Sequence, residues 1–184
     1  MTIDWAVIAE LEGSSLTGDV PNPDTSQSGV TIASGIDLGQ RSAAEIGAMT
    51  IPQELKDKLT PYAGFRQQAA VDFLAAHPLT ITADEAAALE SVVRGQIVQQ
   101  LATTYDAAVN GQPALSTFDD LPNAPQTVIA SVAFQYGNLP TRTPRFWQAA
   151  VSQVWADVIT ELRNFGDQYP TRRNREATYL QNNV

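Results

Sequence analysis

Three side chains near the amino terminus, Glu12, Thr31 and Asp37, have the residue types that acid–base hydrolysis needs. Glu12 ends the first apolar helical pattern and is followed by Gly13, which favours a helix end there. Thr31 and Asp37 belong to segment 28–39, which is apolar at alternate positions and contains three glycines. The alternation predicts an extended segment with both polar residues on or near its other face. The pattern therefore indicates a carboxyl at a helix end and a strand that carries a hydroxyl and a second carboxyl.

Two carboxyl groups are what glycoside hydrolysis requires, because one donates a proton and the other acts as base or nucleophile. We expect Glu12 to be the proton donor and Asp37 to be the ionised carboxylate that positions or deprotonates a water. The hydroxyl of Thr31 both donates and accepts hydrogen bonds and is expected to hold that water. A water between sugar and base implies inversion, with the carboxyl groups about 6.5–9.5 Å apart.

Two further aspartates, Asp19 and Asp24, lie in the turn-rich loop that precedes the strand. Gly35, two residues before Asp37, favours Asp37, because glycine permits the sharp turn that presents a carboxylate.

Composition excludes several other classes of function. The chain has no cysteine and a single histidine, His77, which disfavours triads that need a histidine and makes a structural zinc site very improbable. No Gly-rich phosphate loop is present, and no cofactor or metal is predicted. The net charge of −9 argues against nucleic acid and anionic membranes as partners. The sequence contains no apolar run of about 20 residues and no secretory signal at its start.

The remaining pattern predicts an α+β fold in one domain of 184 residues. A small β lobe is expected at about 13–40, with a short strand at Leu16–Thr17 and a second strand from Gly29 to Ile36. Residues 1–12 and 41–184 are expected to form a helical lobe, with a cleft between the two lobes. Helices are predicted at residues 2–12, 42–49, 53–59, 65–76, 83–109, 125–136 and 143–162, and one more is predicted to begin at residue 170.

Capping boxes mark two of these helix starts. Ser42 with Glu45, and Thr82 with Glu85, have the spacing at which the hydroxyl and the glutamate each bind the other residue's amide. The arginines at 172, 173 and 175 are interpreted as a solvated helix face.

The residues around the candidate site resemble the pesticin-type muramidase domain, a bacterial toxin relative of the phage-type lysozymes. The resemblance rests on Glu12-Gly13 after an amino-terminal helix and on segment 28–40, in which Asp37 follows Thr31 by six residues, as in the family signature. It is strong over residues 8–41 and weaker beyond. Classical phage enzymes place the aspartate before the threonine, in the loop, so the resemblance also makes Asp24 a rival of Asp37 for the second carboxyl.

The resemblance implies a lysozyme-like fold and a peptidoglycan glycan strand as substrate. The bond cleaved would be the β-1,4 bond between N-acetylmuramic acid and N-acetylglucosamine. Glu12 carries over as the proton donor, Asp37 as the water-directing carboxylate and Thr31 as its helper. The implied role is an antibacterial toxin or effector in the periplasm of a target bacterium, with an immunity protein as inhibitor.

Delivery would use a secretion system, a fused translocation module or a holin. Two alternatives remain open: an inactive glycan-binding domain with the same fold, and a phage lysis enzyme. The net charge of this chain is negative, whereas many lysozymes carry a positive net charge. Arg41, Arg142, Arg145 and the cluster at 172–175 are candidates for a locally basic cleft, and a fused partner that concentrates the enzyme at the wall is the other explanation.

Overall fold

The computed structural model describes residues 2–184 and contains ten α-helices and a three-stranded sheet in that part of the chain. The helices are α1 (Trp5–Glu12), α2 (Ala43–Ala48), α3 (Gln53–Leu59), α4 (Gln67–Ala76), α5 (Ala83–Val109), α6 (Asn123–Tyr136), α7 (Leu139–Arg142), α8 (Pro144–Ser152), α9 (Trp155–Arg163) and α10 (Pro170–Asn182). The strands are β1 (Ser15–Asp19), β2 (Thr31–Ala33) and β3 (Ile36–Asp37). The predicted α+β class is confirmed.

The chain divides into two compact units, here named the sheet unit and the helical unit. The sheet unit comprises residues 12–95, and the helical unit comprises residues 2–11 and 96–184. The sheet unit is larger than the β lobe expected at 13–40. Backbone pairing explains the difference, because Thr17 pairs with Thr80 and Gly29 pairs with Arg66. These pairs attach the sheet to segments on both sides of α4.

The sheet is antiparallel, in the order β1–β2–β3. Thr31 pairs with Asp37 and Ile32 with Ile36, so the segment expected to be one strand from Gly29 to Ile36 is instead a tight hairpin. Gly35 lies in the turn at a φ of +85°, which a residue with a side chain rarely adopts. The prediction of a single strand was wrong because Val30, Ile32 and Ile36 keep the even spacing of one strand although a turn at Ser34 and Gly35 lies between them.

The core of the sheet unit lies on one face of this hairpin. Val30, Ile32 and Ile36 are buried, as the alternation predicted. Helix side chains that are also almost fully buried complete this core: Ile46, Leu55, Leu59, Ala70 and Leu89. The two predicted capping boxes form, since Glu45 N donates to Ser42 Oγ and Glu85 N donates to Thr82 Oγ1, both at 3.2 Å.

The helical unit has its core around α6, on which every residue from Ala124 to Ala133 is buried. Tyr105 of α5 is part of this core and donates a hydrogen bond of 2.9 Å from its hydroxyl to the carbonyl of Ala150. Its ring meets Phe118 and Trp147 edge-on, with centroids 5.7 and 5.8 Å away. Within residues 2–184, no helix combines the length and the apolar character that crossing a membrane requires.

The helix expected over 143–162 is two helices, because the chain turns at Gln153. This residue is left-handed, with a φ of +57°. Its side-chain amide binds the backbone of Ser116, accepting from the N–H at 3.1 Å and donating to the carbonyl at 2.7 Å. These two bonds stabilise a break between α8 and α9 that apolar spacing along the segment does not reveal.

Candidate active site

Glu12 is the last residue of α1 and is half-buried. Helix α1 begins beside Asp4, whose Oδ1 accepts from the amide of Ala6 at 3.1 Å and from that of Val7 at 3.3 Å. It ends at Glu12 because Gly13 adopts a φ of +69°. Strand β1 starts three residues after Glu12, so the chain runs from the helix end directly into the sheet.

Asp37 closes the hairpin and binds backbone amides on both sides of it. Its Oδ1 accepts a hydrogen bond from Gly39 N at 2.8 Å and one from Gly29 N at 3.0 Å. The residue thereby caps the 3₁₀ turn Leu38–Gln40. One carboxylate oxygen is thus fixed by the protein, and Asp37 is half-buried rather than enclosed.

Two glycines make this arrangement sterically feasible. A Cβ on Gly29 would lie 2.2 Å from the carbonyl oxygen of Phe65 and 2.5 Å from the Cα of Gly39. A Cβ on Gly39 would lie 2.3 Å from the same oxygen. Arg66 adds a bond of 2.9 Å from Nε to the carbonyl of Gly39. The segment before α4 therefore packs against the two glycines whose amides bind Asp37.

Thr31 lies between two aspartates in the middle strand. It pairs with Asp37 of β3 on one side and with Asp19 of β1 on the other. Directly paired residues of antiparallel strands share a face, with Cβ atoms about 4.5–5.5 Å apart. Asp19, Thr31 and Asp37 therefore form a row across one face of the sheet, here named the polar row. The hydroxyl of Thr31 donates to the carbonyl of Gly29 at 3.3 Å.

A comparison with family models identifies the family of the chain. Residues 2–156 match the family described as Pesticin, a bacterial toxin homologue of phage lysozyme, C-terminal part. The chain belongs to the pesticin family. A search of the curated proteins found no match. Membership confirms the lysozyme-like fold, supports a muramidase-type, toxin-related domain, and implies peptidoglycan as the substrate.

In this pesticin-family chain the rival aspartate Asp24 lies outside the sheet. It is exposed, in a turn where Thr25 N and Ser26 N both donate to the carbonyl of Asn22. The polar row instead contains Asp19, which sequence reasoning left in the loop. Extending the predicted strand Leu16–Thr17 by two residues would have placed Asp19 in β1, and its pairing with Thr31 would then have been a natural inference.

In the polar row a hydroxyl stands beside a carboxylate with one fixed oxygen. Such a pair suits the binding of a water molecule, because the Thr31 hydroxyl, which donates to Gly29, can still accept a hydrogen bond and the carboxylate can take a proton. The catalytic roles of Glu12, Thr31 and Asp37 stay predictions. Residues 2–184 contain no group of three or more His, Cys, Asp or Glu residues that could hold a metal ion.

The arginines near the carboxyl terminus of the pesticin-family chain are not a solvated face. Arg173 is 1% exposed, and it binds Glu176, also 1% exposed, and Asp167 at 2.9 Å. Arg172 Nε donates to Glu176 Oε1 at 3.2 Å. Only Arg175 of the cluster is exposed, where it pairs with Glu10 at 3.4 Å. The prediction was wrong for Arg172 and Arg173, because buried acidic partners compensate their charge.

Glu176 is the centre of this buried network. It also accepts a bond of 2.6 Å from the hydroxyl of Ser131. Burial raises the pKa of Glu176, while Arg173, Ser131 and Arg172 act in the opposite direction. Asp167 accepts a bond of 2.6 Å from Tyr136, and burial with this negative neighbour raises the pKa of Tyr136 to about 12. Because Ser131 is on α6 and Glu176 is on α10, the network joins these two helices where they pack together.

Proposed function

We propose that this chain is a peptidoglycan muramidase that cleaves the β-1,4 bond between N-acetylmuramic acid and N-acetylglucosamine. Glu12 donates the proton to the leaving oxygen, Asp37 directs the attacking water, and Thr31 holds that water. The observation that carries the proposal is the pairing of Thr31 with Asp37 in a pesticin-family chain, with one oxygen of Asp37 fixed by two amides.

The assignment of Glu12 is tested by clearance of a peptidoglycan suspension. Glu12→Gln removes the proton donor but keeps the size of the side chain, so clearance should fall by at least about 10²-fold. Glu10→Gln is the matched control on the same helix, since its exposed pair with Arg175 contributes little to stability and it has no assigned role. Equal activity of Glu12→Gln and wild type would exclude Glu12 as the donor.

The second carboxylate is tested by three separate substitutions to asparagine. Asp37→Asn is expected to lose at least about 10²-fold in rate, and Asp24→Asn is expected to retain wild-type activity. Asp19→Asn tests the other aspartate of the polar row, and we expect a smaller loss than at Asp37, since the side chain of Asp19 is exposed whereas that of Asp37 is fixed by two amides. A larger loss at Asp19 than at Asp37 would transfer the role to β1.

The bond and the stereochemistry need their own measurements. Reduction of the products with borohydride followed by mass spectrometry should show N-acetylmuramic acid at the new reducing ends; N-acetylglucosamine there would identify a different bond. We propose inversion, because Asp37 is assigned to a water rather than to the sugar. Proton NMR of the first-formed anomer should therefore show α, and β as the first product would indicate retention.

We further propose that the domain acts as an antibacterial toxin in the periplasm of a target cell, delivered by a secretion system, a fused module or a holin, and neutralised in its producer by an immunity protein. The substrate lies outside the cytoplasmic membrane, so location should decide toxicity. Expression of the chain with an added export signal should lyse a susceptible host, whereas expression without it should not. Lysis by Glu12→Gln at the same level would contradict the mechanism.

The second candidate function is that of an inactive glycan-binding domain. The bonds of Asp37 to Gly29 and Gly39 are compatible with this function. These bonds give Asp37 a structural role, so its presence does not by itself imply catalysis. This candidate predicts binding of the chain to sedimented peptidoglycan without any clearance. Clearance by wild type that is lost in Glu12→Gln would exclude it.

A further inference from the structure

The helical unit contains a cavity of about 300 Å³ that opens to solvent. The second half of α5, the loop between α6 and α7, and α8 form its walls, so it is built entirely within that unit. Its size is at the lower end of the range of about 300–1,000 Å³ that is typical of small-ligand sites. The cavity therefore has room for one small group rather than for a length of polymer.

The wall of the cavity is mostly apolar and its rim is polar. Ile97, Leu101 and Trp147 are among the apolar residues that line it. Trp147 is held in place by its edge-on contact with Tyr105, and the two centroids are 5.8 Å apart. An apolar wall that is rigid before a ligand arrives can pack against C–H groups at little entropic cost.

Side-chain amides supply the polar rim. Gln96 and Gln100 stand one helical turn apart on α5, and both are exposed. Nε2 of Gln100 donates to Thr104 Oγ1 at 3.4 Å, which leaves its carbonyl oxygen for a ligand. Asn138 uses Oδ1 to accept from Thr141 N at 3.3 Å, which leaves its amide hydrogens as donors. The rim thus offers both acceptors and donors.

The charge of the lining restricts the ligand further. The residues that line the cavity, all of them within the described chain, include no Asp, Glu, Lys, Arg or His. A charged ligand would gain no ionic partner there and would lose part of its hydration, so a neutral ligand is favoured.

We propose that this cavity binds a neutral acetamido sugar, of the kind that alternates with muramic acid in peptidoglycan. The acetyl methyl group and the C–H face of the ring would contact Ile97, Leu101 and Trp147, and the amide group would bond with the glutamines and Asn138. The choice of sugar rests on the proposed function. N-Acetylglucosamine is the neutral sugar of the strand, whereas muramic acid carries a carboxyl group or its peptide. The site would hold the glycan by the helical unit.

The test uses the full chain carrying Glu12→Gln, so that no ligand is consumed, and follows ¹H–¹⁵N NMR spectra. N-Acetylglucosamine and its β-1,4-linked trimer are added to about 50 mM, which suffices to detect a millimolar Kd. We expect saturable shifts of the Trp147 indole and of the Gln96 and Gln100 side-chain amides. Cellobiose, which lacks the acetamido groups, should bind at least about fivefold more weakly. Absence of saturable shifts at these groups, or equal shifts with cellobiose, would overturn the proposal.

Substitutions on α5 locate the site. Gln100→Trp should place an indole over the opening and lower affinity at least about tenfold, and Gln96→Ala should lower it about threefold, as expected for one lost hydrogen bond. Gln99→Ala is the matched control, since Gln99 is exposed on the same helix but does not line the cavity. The same spectra show whether Gln100→Trp is folded. Unchanged affinity in the folded variant would mean that the ligand binds elsewhere.

The two proposals can fail separately. Clearance of peptidoglycan by wild type without sugar binding at the cavity would overturn this inference and leave the muramidase proposal intact. Binding at the cavity with no clearance would support the sugar site and overturn the catalytic proposal.

Discussion

Thr31 and Asp37 are directly opposite one another across the β2–β3 pair, and Asp37 uses a single oxygen, Oδ1, to bind the amides of both Gly29 and Gly39. The hairpin thus fixes the distance and the shared face of the two side chains. Asp37 therefore has a structural role beside the catalytic role proposed for it, and different substitutions can separate the two.

Asparagine and alanine at position 37 should have different effects. Asp37→Asn keeps an oxygen for both amides and is expected to lose activity with an unfolding free energy within about 1 kcal/mol of wild type. Asp37→Ala leaves two amides without their acceptor and should cost about 2–4 kcal/mol as well as activity. Urea unfolding and peptidoglycan clearance, measured on the same preparations, check both. Equal stability of the two variants would mean that the amide bonds contribute nothing.

Glycine at position 39 is expected to be indispensable for folding of the hairpin. Gly39→Ala would place a Cβ 2.3 Å from the carbonyl oxygen of Phe65, and backbone must move to relieve the contact. We expect a loss of about 4 kcal/mol or more, or no folded protein. Gly95→Ala is the control, because that glycine lies inside α5 with open space around it, and alanine there should stabilise by about 0.5–1 kcal/mol. Circular dichroism during urea unfolding measures both, and a mild effect at Gly39 would refute the steric argument.

The buried network on α10 should contribute strongly to stability. Glu176→Gln removes the charge that compensates Arg173 and is expected to cost about 3–5 kcal/mol at pH 7. Arg175→Gln, which breaks only the exposed pair with Glu10, should cost less than about 1 kcal/mol. Comparison of urea midpoints tests the contrast. Similar midpoints for the two variants would show that the buried pair is energetically replaceable.

Two tyrosines, the buried Tyr105 and the half-buried Tyr136, should make the protein lose stability in strong alkali. Burial raises the pKa of Tyr105 to about 12, and burial beside Asp167 raises that of Tyr136 to about 12, whereas unfolded tyrosine ionises near 10. Between about pH 10 and 12 the folded state therefore binds more protons than the unfolded state, and the unfolding free energy falls as pH rises.

Absorbance near 295 nm during a pH titration should show late ionisation of these two residues among the five tyrosines. Tyr105→Phe should reduce the pH dependence of the unfolding free energy in this window. The same pH dependence in Tyr105→Phe as in wild type would contradict the argument.

Local sequence signals predicted the helices whose ends are marked by a proline, a capping box or Asn-Gly. The bounds of α3 agree with the prediction because Pro52 and Pro61 flank it. Those of α5 agree because Thr82 with Glu85 marks its start and Asn110-Gly111 follows its end. The break at Gln153 was missed, since its cause is a pair of hydrogen bonds to Ser116, a residue far away in the sequence. Arg173 was misjudged for a similar reason, because Ser131 and Asp167, which complete its network with Glu176, are not part of α10.

The candidate site was predictable to the extent that it is local. Thr31 and Asp37 were found from their types and spacing, and the hairpin places them as a pair. Asp19 was not included, because its position depends on how β1 aligns with β2. The contact of Gly29 and Gly39 with Phe65 was equally hidden, since it joins segments whose proximity no single stretch of sequence encodes.

The tight turn of the hairpin, at Ser34 and Gly35, has a consequence for sequence variation. Side chains alternate between the two faces of a strand, so one residue added to or deleted from this turn would rotate Asp37 away from Thr31 unless the turn itself absorbed the change. The turn can therefore tolerate exchange of Ser34 more readily than a change of length. In homologues or engineered libraries, an insertion here should be depleted far more strongly than one in the loop around Asp24, although both loops lie on the surface.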